Sequence, residues 1–405
     1  MKLAIVTAFP PSKVTLNEYA YHLVKHFRLK KDISEIILLT DKTKGKKDIL
    51  FTKKGCGITI KECWSFNSYA NIINITKAIN KTKPDAVLFN LQFMKFGDKK
   101  IAAALGLFLP FVCKLKGIPN IVLLHNILEE VDLESAGFTT NKFLQKIYGF
   151  IGTTLTKIIL LADVVSVTIQ KYATTLEEKY SAKNVILIPH GTFEVSDEKP
   201  DFTVPKGPLQ IMTFGKFGTY KKVELLIEAV EVVRDSTGLD LEVVIAGTDN
   251  PNVKGYLAKV QQEYNHVPQI RFTGYVKESE VPTLFKESAV VVFPYTSTTG
   301  SSGVLHQAGS YGKAVVMPYL GDLALLVKDE GYLGEFFEPR SVESLAKAIE
   351  AIVTNDYYRK DLGKANYKAA TAYPMSKITD MYLNEFNSII NNKKQRKIQS
   401  ITGRR

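Results

Sequence analysis

The sequence predicts two Rossmann-like α/β domains in series, and three observations carry that prediction. Short, wholly apolar runs alternate with helical stretches, the pattern of a parallel sheet covered on both faces. A polar, proline-containing segment at 192–208 interrupts the alternation, which then restarts. The chain has 405 residues, more than one core ordinarily serves, since cores stop growing at about 250–300 residues.

In the first half the apolar run Lys2–Ala8 ends at Pro10-Pro11 and leads into an amphipathic helix at Glu18–Phe27. Strands follow at Glu35–Leu39, Ala86–Asn90, Ile121–Leu124, Val164–Thr168 and Val185–Ile188. After the break, strands are expected at Leu209–Phe214, Leu241–Ala246, Ile270–Thr273, Val290–Phe293 and Ala314–Met317. Helices are expected at Lys221–Asp235, near Val253–Tyr264 and at Val342–Val353. A last amphipathic segment, Ile378–Ile390, follows Tyr373-Pro374.

Composition narrows the class. With 45% hydrophobic and 23% charged residues, the chain is globular rather than disordered. Cys56, Cys63 and Cys113 form no CxxC pair and read as reduced thiols of a cytoplasmic protein. Met1-Lys2 leads directly into a strand, so no signal peptide is expected. The longest uncharged run, Ile101 to Cys113, is too short to span a bilayer. The net charge of +12 is uneven, with a basic first half and tail around an acidic middle. That asymmetry fits either a solvated lysine-rich surface or attraction to an anionic membrane or acceptor. No nucleic-acid-binding motif occurs.

Five places bear chemistry. Gly215-Lys216-Phe217-Gly218-Thr219-Tyr220-Lys221-Lys222 follows a strand and opens a helix, which puts amides, a helix end and two lysines where a phosphate can sit. It reads equally as a plain turn with solvated lysines. It is neither GxGxxG nor a P-loop. The run from Thr296 through Thr299, Gly300, Ser301, Ser302 and Gly303 is too small to build a core; it offers hydroxyls and amides at a helix start, or forms a flexible loop with a serine cap. Both turns lie at carboxyl ends of strands, where open α/β sheets bind ligands. His125-Asn126 ends the strand IVLL, where a histidine can donate to a substrate hydroxyl or to developing charge, or be purely structural. His190, before the linker, reads as structural. Asn17 and Glu18, beyond the first strand, meet substrate or cap the next helix. No HxxxH or carboxylate-rich spacing marks a metal site.

Together these motifs resemble the GT4-type retaining glycosyltransferases, best from about residue 185 to 390. The stretch FGKFGTYKKVELLIEAV looks like the family's strand–G-R-L-x-x-x-K-G–helix motif, and VVIAGTDNP, IRFTGYVKESEVPTLFKESAVVVFPY and LGEFFEPRSVESLAKAIEAI keep its order. The resemblance implies the GT-B fold, two Rossmann-like domains with parallel sheets facing a central cleft. The N-terminal, acceptor-side domain would be 1–191 plus 375–405, and the donor-binding domain 205–374. It places the donor diphosphate on Lys216 and Lys221, with lysine replacing the family's arginine and losing its bidentate fork. The family's paired glutamates, E-x7-E, fall on Thr299 and Gln307. Its N-terminal Gly-Gly loop is replaced by Thr15-Leu16-Asn17-Glu18. His125 matches its first-domain histidine near the donor sugar.

The implied activity is metal-independent transfer of a hexosyl group from a UDP- or GDP-linked sugar to a glycan, lipid-linked or other acceptor, with retention. No cofactor is implied, and the setting is polysaccharide biosynthesis. Catalytic roles fall on His125, Lys216 and Lys221. Donor contacts fall on Gly215, Thr299, Gly300, Ser301, Ser302, Gly303 and Gln307, and acceptor-side contacts on Asn17, Glu18 and Asn126. The alternatives are a nucleotide-sugar-binding GT-B subunit with little or no transferase activity, and a GT-B-like nucleotide-sugar epimerase.

Overall fold

The computed structural model describes residues 1–12, 14–43, 51, 54–127, 142–195, 199–250, 253–297 and 302–402. The chain divides into two compact units, Met1–His190 with Met375–Arg405, and Gly191–Pro374.

In the first unit the strands are β1 (Lys2–Val6), β2 (Glu35–Asp41), β3 (Gly57–Trp64), β4 (Ala86–Leu91), β5 (Asn120–Leu124), β6 (Val164–Val167) and β7 (Val185–Leu187). The intervening helices are α1 (Asn17–Phe27), α2 (Asn71–Thr82), α3 (Lys100–Leu107), α4 (Leu109–Leu115), α5 (Lys142–Ile159) and α6 (Gln170–Tyr180). All strand pairs are parallel, in the order β3-β2-β1-β4-β5-β6-β7. β1, β4 and β5 are almost wholly buried, which is why they read as uninterrupted apolar runs. β3 was not legible in this way. It is the edge strand, mostly half-exposed, and its GITIKECW carries no continuous apolar run.

The second unit has β8 (Leu209–Phe217), β9 (Leu241–Asp249), β10 (Ile270–Gly274), β11 (Ser288–Val292), β12 (Ala314–Pro318) and β13 (Glu335–Phe337). Its helices are α7 (Glu224–Thr237), α8 (Tyr256–Glu263), α9 (Val281–Glu287), α10 (Gly303–Ser310), α11 (Gly321–Glu330), α12 (Val342–Val353) and α13 (Asp356–Ala372). The sheet is again parallel, ordered β10-β9-β8-β11-β12-β13. Renumbered within the unit this is 3-2-1-4-5-6, the Rossmann order. Ile211, Val243, Ile245, Val290 and Val292 form its core with Leu226 and Ile227 of α7 and Ile349 of α12.

The last helix, α14 (Met375–Thr402), extends well beyond the amphipathic segment read from the sequence. It packs on the first unit: Tyr382 Oη lies 2.9 Å from Ser166 Oγ of β6, and Lys30 Nζ lies 2.6 Å from Asp380. Farther along, Lys393 Nζ meets Asp163 at 2.6 Å. Among the described residues no helix is long and apolar enough to cross a membrane. The three cysteines are unpaired.

Candidate functional site

Each sheet has one place where the strand order reverses, β1/β4 in the first unit and β8/β11 in the second. Connections leave in opposite directions there, so a crevice opens at the carboxyl ends of the strands.

In the second unit, β8 runs on to Phe217, farther than predicted. Lys216 is therefore a strand residue paired with Thr248, and its side chain is exposed. Gly215 has φ +141°, and a Cβ there would lie 2.7 Å from Lys221 Nζ. Its partner Gly247 has φ +142°, and a Cβ there would come 1.9 Å from Gly215 O. Both glycines are required by backbone conformation, and Gly247 also by its close approach to Gly215 O.

Lys221 lies outside helix α7, contrary to expectation. It pairs instead with Tyr295 in an antiparallel bridge. Its ammonium sits 4.6 Å from the Tyr295 ring centroid and 5.9 Å from that of Tyr220. Burial pulls its pKa down, opposed by Tyr220. Lys222 instead donates to Gly218 O at 3.2 Å and lies over the Tyr256 ring.

Beyond β11, Thr299, Gly300 and Ser301 lie outside the described residues. Ser302 is the N-cap of α10, its hydroxyl accepting from Leu305 N at 3.4 Å, and Gly303 opens the helix. Its N-terminal end carries partial positive charge. Gln307, half-buried, lies one turn further along α10. A buried group not singled out from the sequence sits beside it: His306 Nδ1 lies 2.8 Å from Tyr332 Oη and 3.5 Å from Glu330 Oε2. Burial, reinforced by Asp329, pushes the Glu330 carboxyl up to about 8.

In the first unit the crevice is lined differently. His125 follows β5, and its Nε2 lies 2.7 Å from Asn90 Oδ1. Thr7 Oγ1 donates to Ala8 O and so accepts from Asn90 Nδ2 at 3.0 Å, which turns the amide oxygen of Asn90 toward His125. Nε2 therefore carries the proton. Burial, His190 and Lys95 hold the pKa of His125 well below the usual histidine value, so the ring is neutral. With Nε2–H given to Asn90, the remaining Nδ1 is an acceptor, so any donor role toward a ligand would need the other tautomer. Tyr19 packs edge-on against both His125 (4.6 Å) and His190 (4.7 Å), and its hydroxyl donates to His190 O at 3.0 Å.

Asn126 is half-buried, and its Oδ1 is a buried acceptor with no hydrogen-bond partner among the described residues. Asn17 does not cap α1; its Nδ2 donates to Ser12 O at 2.6 Å. Glu18 is exposed in the first turn. The loop before α1 contains no glycine, and Leu16 takes φ +66°. The loop after β4 holds it: Lys95 Nζ donates to Thr15 O at 2.7 Å, and Gln92 donates to Thr15 Oγ1. Lys95 is 1% exposed, and burial brings its pKa down to about 7 against the pull of Asp41. Of this network the sequence singled out His125; Asn90 offered the signal of a polar residue closing the apolar run AVLFN, and Lys95 offered none.

Among the described residues, no group of three or more His, Cys, Asp or Glu side chains is placed to hold a metal ion.

The two units have the GT-B fold of known glycosyltransferase structures. Anabaena HepE, solved with UDP, superposes with a TM-score of 0.68 at 14% identity, covering 96% of this chain and 99% of that one. Sucrose-phosphate synthase from Thermosynechococcus elongatus gives 0.72 at 14%, covering 97% and 100%. WaaG, a glycosyltransferase of lipopolysaccharide biosynthesis, gives 0.64 at 10%, covering 95% and 99%. Residues 194–369, most of the second unit, match the family described as Glycosyl transferases group 1. No curated protein matches the chain by sequence.

Proposed function

We propose that this protein is a retaining glycosyltransferase that moves a hexosyl group from a UDP- or GDP-linked donor to a glycan or lipid-linked acceptor. The observation that carries the reading is the β8/β11 reversal of the second unit, where a lysine-bearing glycine turn and a serine-capped helix start flank one crevice. The match of residues 194–369 to a glycosyl transferase family supports the class. The HepE structures with UDP, UDP and glucose, and UDP-glucose support a nucleotide-sugar donor.

In this reading the donor diphosphate lies against Gly215, Lys216, Lys221 and the first amides of α10 at Ser302 and Gly303, with Gln307 near the ribose. Thr299, Gly300 and Ser301 complete the loop. As the sugar–phosphate bond breaks, charge grows on the leaving diphosphate, and fixed lysines and amides stabilise it more than they stabilise the bound donor. These cations perform the charge neutralisation that a divalent ion otherwise supplies, hence our proposal of metal-independent transfer without a cofactor. Neutral His125 accepts a hydrogen bond from a sugar hydroxyl through Nδ1. Asn126, Asn17 and Glu18 belong to the acceptor side. The basic first half and tail favour a cytoplasmic protein working against an anionic membrane, within polysaccharide assembly.

A thermal-shift screen of nucleotides tests the donor site. UDP or GDP should stabilise the wild type and fail to stabilise Lys221→Ala. Absence of stabilisation in the wild type sinks the assignment. Mass-spectrometric detection of slow nucleotide-sugar hydrolysis then identifies the sugar. Nucleotide binding without hydrolysis or transfer would favour the binding-subunit reading, which the uncharged Thr299 and Gln307 motivate.

A further inference from the structure

Tyr295 closes the stretch IRFTGYVKESEVPTLFKESAVVVFPY and has no assigned role there, yet it touches both halves of the β8/β11 crevice. It is buried, at 3% exposure, just beyond Phe293-Pro294. Its backbone pairs with Lys221, while Lys222 N donates to Pro294 O at 3.0 Å and Thr296 N donates to Tyr220 O at 2.8 Å. These bonds splice the lysine turn onto the segment that leads to α10.

The side chain repeats the connection. Its π face carries the Lys221 ammonium at 4.6 Å, and Tyr220 and Phe293 wall the ring edge-on, each at 5.4 Å. Burial raises the pKa of its phenol, and Ser302, the N-cap of α10, lies close enough to pull it back down. Ser302 Oγ already accepts from Leu305 N, so its proton is available to the phenol oxygen. On the far side of Lys221 stands Gly215, whose missing side chain leaves space for the ammonium.

We propose that Tyr295 is a positioning residue that locks the Lys221 ammonium and the α10 N-terminus in the relative placement a diphosphate requires. The inference rests on the donor-site reading above. A lysine on a flexible stem in water would lose rotamer freedom and hydration on meeting phosphate. Seated on an aromatic face against a glycine, it has already lost both. A cation–π contact is weak beside a charge-assisted bond to phosphate, so the seat holds the ammonium without competing for it.

Isothermal titration with UDP and GDP, and with uridine and guanosine as the phosphate-free controls, tests this on the full chain. For Tyr295→Leu we expect about tenfold weaker diphosphate binding, the fold-change of a lost aromatic seat, with nucleoside affinity unchanged. In a Lys221→Met background, Tyr295→Leu should cost little more. Tyr295→Phe preserves ring and fold; it should weaken diphosphate binding about threefold, and Ser302→Ala should add nothing to it. Equal losses for nucleoside and diphosphate, or full additivity in both cycles, overturn the proposal. Failure of wild type to bind either diphosphate overturns the donor site itself, and the proposal with it.

Discussion

The two units carry the same sheet order at their reversal points and line the resulting crevices with opposite chemistry. At β8/β11 the lining is glycine, lysine and a helix N-terminus. At β1/β4 it is a glycine-free loop clamped by Asn90, Gln92 and buried Lys95, beside a neutral histidine. The first lining suits an anion, because backbone amides approach it closely and charge is already in place. The second suits neutral hydroxyls, because it presents an acceptor on His125; Asn126 Oδ1 beside it is buried and has no hydrogen-bond partner among the described residues. One topology thus carries two differently lined edges, and the difference lies in side chains at the strand ends.

The largest expected effect tests how far the second unit depends on its glycines. Gly247→Ala places a methyl 1.9 Å from Gly215 O at φ +142°. We expect a loss of about 4 kcal/mol or more, enough to unfold the second unit in urea titrations.

Next come pH effects of opposite sign. Lys95, in the first unit, titrates at about 7 against 10.5 as its reference value. Between those pH values the unfolded chain binds a proton that the folded chain does not. Stability therefore rises with pH across that window, by up to about 1.4 kcal/mol per pH unit. Lys95→Met should remove that slope. Glu330, in the second unit, is raised from 4.5 to about 8. Its contribution is fully present below pH 4.5 and is lost as pH rises through 8, so Glu330→Gln should flatten a decline over pH 4.5–8. Lys313, lowered to about 8 by burial, adds a rise above that pH in the same unit. Denaturant midpoints measured against pH for each variant separate these terms.

The contrast explains what sequence could and could not reveal. Strands buried on both faces, such as LAIV and NIVLL, announce themselves. Edge strand β3, exposed on one side, does not. The strand-end turns at Gly215 and Ser302 were visible because glycine and serine runs cannot be core. The turn's internal arrangement was not visible: Lys221 leaves the helix for a bridge with a residue 74 positions away. Lys95, Gln92 and Tyr295 act through tertiary contacts with no local pattern. The tautomer of His125 depends on an amide orientation set in turn by Thr7.

That tautomer supplies a mid-sized prediction. Asn90→Ala removes the acceptor from Nε2–H and leaves buried partners unsatisfied. It should cost about 1–3 kcal/mol of stability in thermal melts and lower donor turnover in the mass-spectrometric assay. Asn90→Leu should lower turnover as much, since it also lacks the acceptor. Turnover unchanged in both variants would remove His125 from the reacting edge.

The smallest effect concerns how each unit starts its site helix. α10 begins with Ser302 capping Leu305 N, whereas α1 begins at Leu16 in the left-handed region with no capping side chain. α1 is held from outside instead, by Asn90, Gln92 and Lys95 on its preceding loop. Ser302→Ala should therefore cost about 1 kcal/mol, visible as a small fall in the melting midpoint of the second unit. No cap exists to delete at Leu16, where Leu16→Gly relieves a positive φ and should change stability by less than about 1 kcal/mol. If Ser302→Ala costs nothing, the α10 start is held by its neighbours as α1 is, and the two crevices differ less in construction than their linings suggest.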